Sequence, residues 1–403
     1  MQFIKMLLVL LIALCFAACG LADKNKSATD SGEFAASIAD EIQLRVGAER
    51  LELYLPRLEA KSVAVVANAT SRVGEMHLVD ALLEKDINVK KVFAPEHGFR
   101  GDLDAGQTVT DHFDAKTGLE IFSLYGSSKK PSAELLDDVD IMVFDIQDVG
   151  VRFYTYLSTL HYVMEACAEN DIPLILLDRP NPNGGYIDGP VMQAEFSSFI
   201  GLHPVPLVYG MTIGEYGQMI NGERWLIDGV QCDLTVIKIE GYSRGAEYTL
   251  PVKPSPNLPN MTSIYLYPSL ALFEGTVVSI GRGTEFPFQV VGHPDYGQGP
   301  FQFTPRPTPG AMTPKLEGQI CKGLDLRGSE AHGLSLEWII EFYNALPDKD
   351  NFFLANGFFN KLSGNDMLMA QIKQGLSATQ IRQTWQADIA EFKNMRARYL
   401  LYK

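Results

Sequence analysis

Cysteine is scarce in this chain. There are five in 403 residues, and only three, Cys167, Cys232 and Cys321, lie beyond residue 19. Their wide spacing excludes both a dense disulfide framework and a cysteine zinc site. The histidines, His77, His97, His112, His161, His203, His293 and His332, show no HxH or HExxH spacing, so the common zinc-hydrolase signatures are absent. No GxSxG is present to mark a serine-hydrolase elbow. Positive charge is also in short supply: 34 Lys and Arg face 49 Asp and Glu, a formal charge of −15. A surface of that sign repels phosphate backbones and argues against general nucleic-acid binding. No apolar run is long enough to make a good transmembrane helix.

What is present begins at the N-terminus. Lys5 precedes the run Met6–Leu14, and small residues follow at Ala17-Ala18-Cys19-Gly20. That order reads as an export signal over residues 1–19, with Cys19 placed as the lipidated cysteine of a bacterial lipobox. Phe16 departs from the aliphatic residue usual there. Residues 20–47 are largely small and polar and suit a tether. The expectation is an exported bacterial protein, periplasmic or anchored to the outer membrane through Cys19.

From about residue 60, short apolar runs alternate with helical periodicity. Runs at Ser62–Ala67, Val89–Phe93, Asp140–Asp145 and Ile172–Leu177 predict strands. His77–Lys85, Ser132–Asp137 and Tyr156–Glu169 predict helices, the last with apolar residues at Leu157, Leu160, Val163, Met164 and Cys167. Continuous apolar strands separated by helices predict a mostly parallel, doubly wound Rossmann-like α/β sheet covered on both faces. No GxGxxG follows the first strand, where Asn68-Ala69-Thr70 stands, so the dinucleotide-binding version of that fold has no support. The proline-rich passage Pro254–Asn260 marks a boundary. The expected division is a Rossmann-like catalytic domain over 48–255 and a smaller α+β domain over 256–403, with a strand at Gly275–Ile280 and helices near Leu336–Asn344 and Ala378–Tyr399.

In such sheets ligands bind beyond the carboxyl ends of the strands. Here those ends are polar: Pro95-Glu96-His97-Gly98, then Asp145-Ile146-Gln147-Asp148-Val149-Gly150-Val151-Arg152, then Asp178-Arg179-Pro180-Asn181-Pro182-Asn183, and Tyr209-Gly210-Met211-Thr212 after Val205–Val208. The turn would hold Glu96 at a rim, where a partly desolvated carboxyl can donate a proton near neutral pH. A second carboxylate from Asp145, Asp148 or Asp178 would complete the pair used in glycoside hydrolysis. The competing readings are structural. Glu96-His97 can be a salt bridge or cap, Asp145 and Asp178 can cap helices or hold loop amides, and Arg152 and Arg179 can neutralise those aspartates. Zinc or magnesium held by Asp and His is a further alternative.

FAPEHGFRG, SLYG, VDIMVFDIQDVGVRFYTYLSTL, LLDRPNPNGG, YGMTIGEY, PSPNLPN, EGTVVSIGRGTEFPF and the terminal ARYLLY together resemble the NamZ-type exo-β-N-acetylmuramidase family, from about residue 48 to the C-terminus. The resemblance implies a Rossmann-like domain, a smaller C-terminal domain and a cleft between them. It implies metal-free removal of N-acetylmuramic acid from the non-reducing ends of peptidoglycan fragments, and it places the catalytic glutamate at Glu96. Many members carry histidine where this chain has Tyr209, which raises the alternative of a sugar-binding lipoprotein with altered or lost catalysis. His97, Asp145, Asp148 and Tyr209 join Glu96 as catalytic candidates. Gln147, Arg152, Tyr154, Asp178, Arg179, Asn181, Asn183, Asn257, Arg282 and Thr284 are the candidates for substrate binding. Among these, Arg152, Arg179 and Arg282 suit the lactyl carboxylate of muramic acid, because a guanidinium fork matches that group.

Overall fold

The computed structural model describes residues 44–99, 112–126, 128–297, 299–330 and 332–403. The export signal, Cys19 and most of the tether lie outside the described residues.

A sheet of seven strands among the described residues organises the first half. Across it the strands run Leu234–Ile237, Leu174–Leu177, Ile141–Asp145, Val63–Ala67, Val89–Ala94, Glu120–Ser123 and His112–Phe113. Every neighbouring pair is parallel except the last, where His112–Phe113 runs antiparallel on the edge. The first strand in the chain is central. The next strands build outward on one side of it, and then the chain returns to add Ile141–Asp145 on the other. The order therefore reverses above Val63–Ala67, the place where an open α/β sheet leaves a crevice. Val63–Ala67 and Ile141–Asp145 are buried at every residue, as strands covered on both faces must be.

The four sequence-predicted strands are present. Glu120–Ser123 and Leu234–Ile237 join them without a sequence signal. Both are four-residue strands, too short to show a period before their partners are known. The helix Tyr156–Glu169 also forms as predicted and buries Leu157, Leu160, Val163, Met164 and Cys167.

The second half carries a three-stranded antiparallel sheet with Cys321–Asp325 between Val290–His293 and Phe301–Phe303. The segment Gly275–Ile280 is not a strand. Thr276 and Ser279 each make an isolated bridge, to Phe353 and Gly292, and the chain between them follows no ladder. At the C-terminus the periodic stretch Ala378–Tyr399 breaks at Trp385 into Ala378–Thr384 and Gln386–Arg396, with a closing 3-10 turn Ala397–Tyr399. One apolar cluster joins the two halves, running from Phe93 and Phe144 on the sheet through Tyr154 and Leu258 to Phe273, Phe342 and Phe359.

Candidate active site

Three strands of the large sheet deliver their carboxyl ends to one cavity. Glu96 and His97 follow Val89–Ala94, Tyr125 follows Glu120–Ser123, and Phe153, Tyr154 and Thr155 lie between Ile141–Asp145 and the helix Tyr156–Glu169. The second half supplies the opposite wall with Tyr267, Glu274, Arg282, Phe288 and Pro314-Lys315. The cavity has a volume of about 660 Å³, within the range of a sugar-sized ligand site.

Glu96 sits on a tight turn. Gly98 N–H donates to the Pro95 carbonyl at 3.0 Å, and both His97 (φ 72°) and Gly98 (φ 77°) adopt the left-handed conformation. That geometry is natural for glycine and costs a side-chain-bearing residue about 1–2 kcal/mol. His97 bears this strain while buried in the cavity wall. Opposite, Thr155 occupies the N-cap of the Tyr156–Glu169 helix without capping it. Its hydroxyl donates instead to Glu96 Oε2 at 2.7 Å. The carboxyl is thereby tied to the positive end of a 14-residue helix. Burial raises the Tyr125 phenol above its ordinary value, and the Glu96 charge beside it adds to the rise.

The second carboxyl in the cavity is Glu274. Arg282 approaches its Oε1 with Nε at 2.7 Å and Nη2 at 2.6 Å. Burial opposes the Arg282 charge, but Glu274 more than offsets it, with a smaller contribution from Glu96, and the guanidinium stays above its usual value. Lys315 donates through Nζ to the carbonyls of Phe273 (3.1 Å) and Thr276, on either side of Glu274. Burial pulls the Lys315 amine down to about 8. With Lys129, set over the Phe199 ring at 4.8 Å, the described lining holds three cationic side chains against the two carboxyls. In an acidic protein that local balance favours an anionic ligand.

Of the sequence candidates, the structure brings Glu96, His97, Tyr154 and Arg282 to this cavity. The others are bonded to the backbone or to one another. Asp145 is fully buried and receives Arg179 on both oxygens, at 2.6 and 2.8 Å. Burial pushes its carboxyl up and Arg179 pulls it back. Asp178 accepts from Thr212 Oγ1 (2.7 Å), Gly214 N (2.8 Å) and Tyr402 Oη (2.6 Å), so it anchors the start of the Ile213–Gly222 helix and the chain terminus. Burial takes it to about 7, while those donors work in the other direction. Asp148 is buried, accepting from Gly150 N at 2.7 Å and from Tyr209 Oη, and burial raises it to about 6. None of these three aspartates lines the cavity, so among the described residues the second carboxyl there is Glu274 and not one of them.

Arg152 is the largest fully buried side chain among the described residues, and its guanidinium donates to the carbonyls of Pro190, Val205, Leu362 and Ser363. Buried in this way it is not placed to meet a substrate. Gln147 donates to the Pro180 carbonyl, Asn181 to Met211, Asn183 to Val149 and Asn257 to Gly310. Thr284 closes its own turn onto Gly281. Tyr209 is fully buried, away from the cavity lining.

Sequence reasoning missed Glu274, Lys315, Tyr125 and Thr155 as site residues. Glu274 opens the block EGTVVSIGRG, eight residues before Arg282, and Tyr125 and Thr155 lie in SLYG and VRFYTYLSTL. Nothing local distinguishes them, because their roles depend on partners far away in the chain. Among the described residues, no three of His, Cys, Asp and Glu gather as a metal-binding group.

Comparison with known proteins is consistent across the chain. A family profile described as exo-beta-N-acetylmuramidase NamZ, N-terminal, matches residues 63–262, and its C-terminal counterpart matches residues 265–402. The peptidoglycan beta-N-acetylmuramidase NamZ of Bacillus subtilis (strain 168) is 40% identical over 374 residues, covering 87% of this chain and 89% of that protein. Two crystal structures of DUF1343 family proteins from Bacteroides fragilis NCTC 9343 are similar. One superposes with a TM-score of 0.83 at 45% identity over 89% of this chain and 99% of its own. The other has a TM-score of 0.77 at 30% identity over 90% and 100%.

Proposed function

This chain belongs to the NamZ family of exo-β-N-acetylmuramidases, and from that premise we propose that it releases N-acetylmuramic acid from the non-reducing ends of peptidoglycan fragments with Glu96 as proton donor. It is a glycosidase. The observation that carries the assignment of Glu96 is its placement: a carboxyl on a strained turn, held by Thr155, in the wall of a sugar-sized cavity at the carboxyl ends of the sheet's strands.

The chemistry is set by that geometry. Cleavage of a glycosidic bond leaves an alkoxide unless its oxygen is protonated as the bond breaks. Glu96 supplies that proton, and the Thr155 hydroxyl holds its Oε2 in place at 2.7 Å. Positive charge developing at the anomeric carbon is met by the negative Glu274, or by the sugar's own N-acetyl oxygen steadied by the cavity wall. Arg282 accounts for the preference for muramic acid. Nε and Nη2 are committed to Glu274, and Nη1 remains to hydrogen-bond the lactyl carboxylate. Lys129 and Lys315 add to the field that draws that group in. The non-catalytic alternative rests on Tyr209 in place of histidine. Since the phenol points its hydrogen bond at Asp148 and does not line the cavity, that exchange takes no group out of it.

Release of nitrophenolate from a 4-nitrophenyl N-acetylmuramide tests the activity. A folded chain that leaves this compound intact, and leaves N-acetylmuramic acid on fragment ends, would refute it.

Export and anchoring belong to the same proposal. The basic start, the short apolar run and Ala17-Ala18-Cys19 support a lipid-anchored protein held at a bacterial envelope membrane, facing its polymer substrate. Cys19→Ser should move the protein from the membrane fraction to the soluble fraction and abolish the mass of the attached lipid. An unchanged distribution and mass would sink the anchor.

A further inference from the structure

Beyond the turn Pro95–Gly98 lies a second cavity, of about 420 Å³, against the carboxyl end of Val63–Ala67. His97, Ser255 and Gly310 belong to the walls of both cavities, so the two adjoin. The shared wall is rigid. Pro254 and Pro256 fix their own φ angles. Tyr154 and Tyr156 both donate to the Pro254 carbonyl, at 2.8 and 3.3 Å, and Asn257 Nδ2 donates to the Gly310 carbonyl at 2.7 Å. Gly310 has φ 90°, and a Cβ there would stand 2.7 Å from Pro256 Cβ, so the wall closes only around glycine.

The charge of this cavity opposes that of the whole chain. Arg72 and Lys253 line it, and among the described residues no carboxylate does, although the protein carries −15 overall. Arg72 gives Nη1 to the Glu75 carbonyl at 2.7 Å and Nε to Ala69 at 3.4 Å, which leaves Nη2 for a ligand. Lys253 is exposed and makes no ion pair among the described residues.

We propose that this second cavity is a subsite for the leaving-group side of the glycan, where Arg72 and Lys253 take a carboxylate carried beyond the scissile bond. The proposal rests on the muramidase reading. An enzyme that removes the terminal sugar has nothing to bind before it, so a second pocket joined to that of Glu96 serves the sugars on the far side of the bond being cut. In an alternating glycan, the next carboxylate is the lactyl group of the following muramic acid or the acidic stem peptide attached through it.

Binding to the full chain carrying Glu96→Gln tests this by calorimetry. Four ligands are compared: the disaccharide N-acetylmuramyl-N-acetylglucosamine, and its extensions by N-acetylglucosamine, by N-acetylmuramic acid, and by N-acetylmuramic acid bearing a stem peptide. The extension that carries the carboxylate recognised here, either the free lactyl group or the stem peptide that replaces it, should bind about tenfold more tightly than the neutral one. Adding Lys253→Glu, an exposed change that leaves the fold alone, should erase that gain and leave the disaccharide within about twofold. A gain already complete in the peptide-free ligand identifies the lactyl carboxylate, and one that needs the peptide identifies the stem. Equal binding of neutral and acidic extensions, or a gain that survives Lys253→Glu, overturns the proposal. Failure of the wild-type chain to cleave the nitrophenyl muramide would instead overturn the muramidase reading, and the binding comparison does not depend on turnover.

Discussion

Replacing Glu96 by glutamine tests the central assignment most directly. The amide keeps a carbonyl oxygen that can still accept the 2.7 Å bond from Thr155, so the turn and helix end keep their contact. What is lost is the acidic proton. General acid catalysis contributes roughly 10²–10⁴-fold, which is about 3–5 kcal/mol of barrier. The loss should depend on the leaving group. A sugar alcohol must be protonated as it departs, so kcat/KM on N-acetylmuramyl-N-acetylglucosamine should fall by about 10³-fold. Nitrophenolate departs without a proton, so kcat/KM on the nitrophenyl muramide should fall by less than about tenfold. The ratio kcat/KM is the quantity to compare, since it reports events only through bond cleavage and is insensitive to any later slow step. A carboxyl needed merely to hold the cavity in shape would lower both values alike. Equal losses on the two substrates would therefore refute proton donation by Glu96 even if activity vanished.

Arg282→Met removes a charged donor worth roughly 1.5–3 kcal/mol to a carboxylate. The preference for the nitrophenyl muramide over the corresponding N-acetylglucosaminide, which lacks the lactyl group, should narrow by about 10- to 100-fold in kcat/KM, and a constant ratio would remove Arg282 from substrate recognition. Lys315 has its amine lowered to about 8 by burial, so it loses charge as the pH rises through that value. KM for the muramide should climb between about pH 7 and 9 in steady-state assays, and Lys315→Arg should push the climb to higher pH. The same titration should raise stability from about pH 8 to the ordinary 10.5, because there only the unfolded chain binds the proton. Arg152→Met strips a donor from four buried carbonyls and should cost about 4 kcal/mol in urea unfolding, at roughly 1 kcal/mol each, while the folded fraction keeps its activity. A loss below about 1 kcal/mol would show that water satisfies those carbonyls.

The sheet is legible in the sequence because its central strands are buried on both faces and must be continuously apolar. Val63–Ala67 and Ile141–Asp145 can be read without knowing their neighbours. Glu96 is legible for a related reason. A carboxyl on a Pro–Gly turn directly after a strand has few places to be except the rim, and the surrounding block is distinctive of the family. The short outer strands and the bridges at Thr276 and Ser279 are not legible, since pairing with distant segments makes them what they are.

The polar residues divide differently. Asp145, Asp148, Asp178, Arg152 and Arg179 occupy the same kind of position in the sequence as Glu96, at or near strand ends. The chain order placed them there and provided their charge. Only the tertiary structure decided that they would be enclosed, because each meets a partner more than thirty residues away or the carbonyls of a segment two hundred residues distant. The same folding brought Glu274, Arg282 and Lys315 across to Glu96. Local sequence sets where a strand ends and which side chain it carries. Whether that group faces substrate or is consumed in holding the backbone depends on which remote segment packs against it.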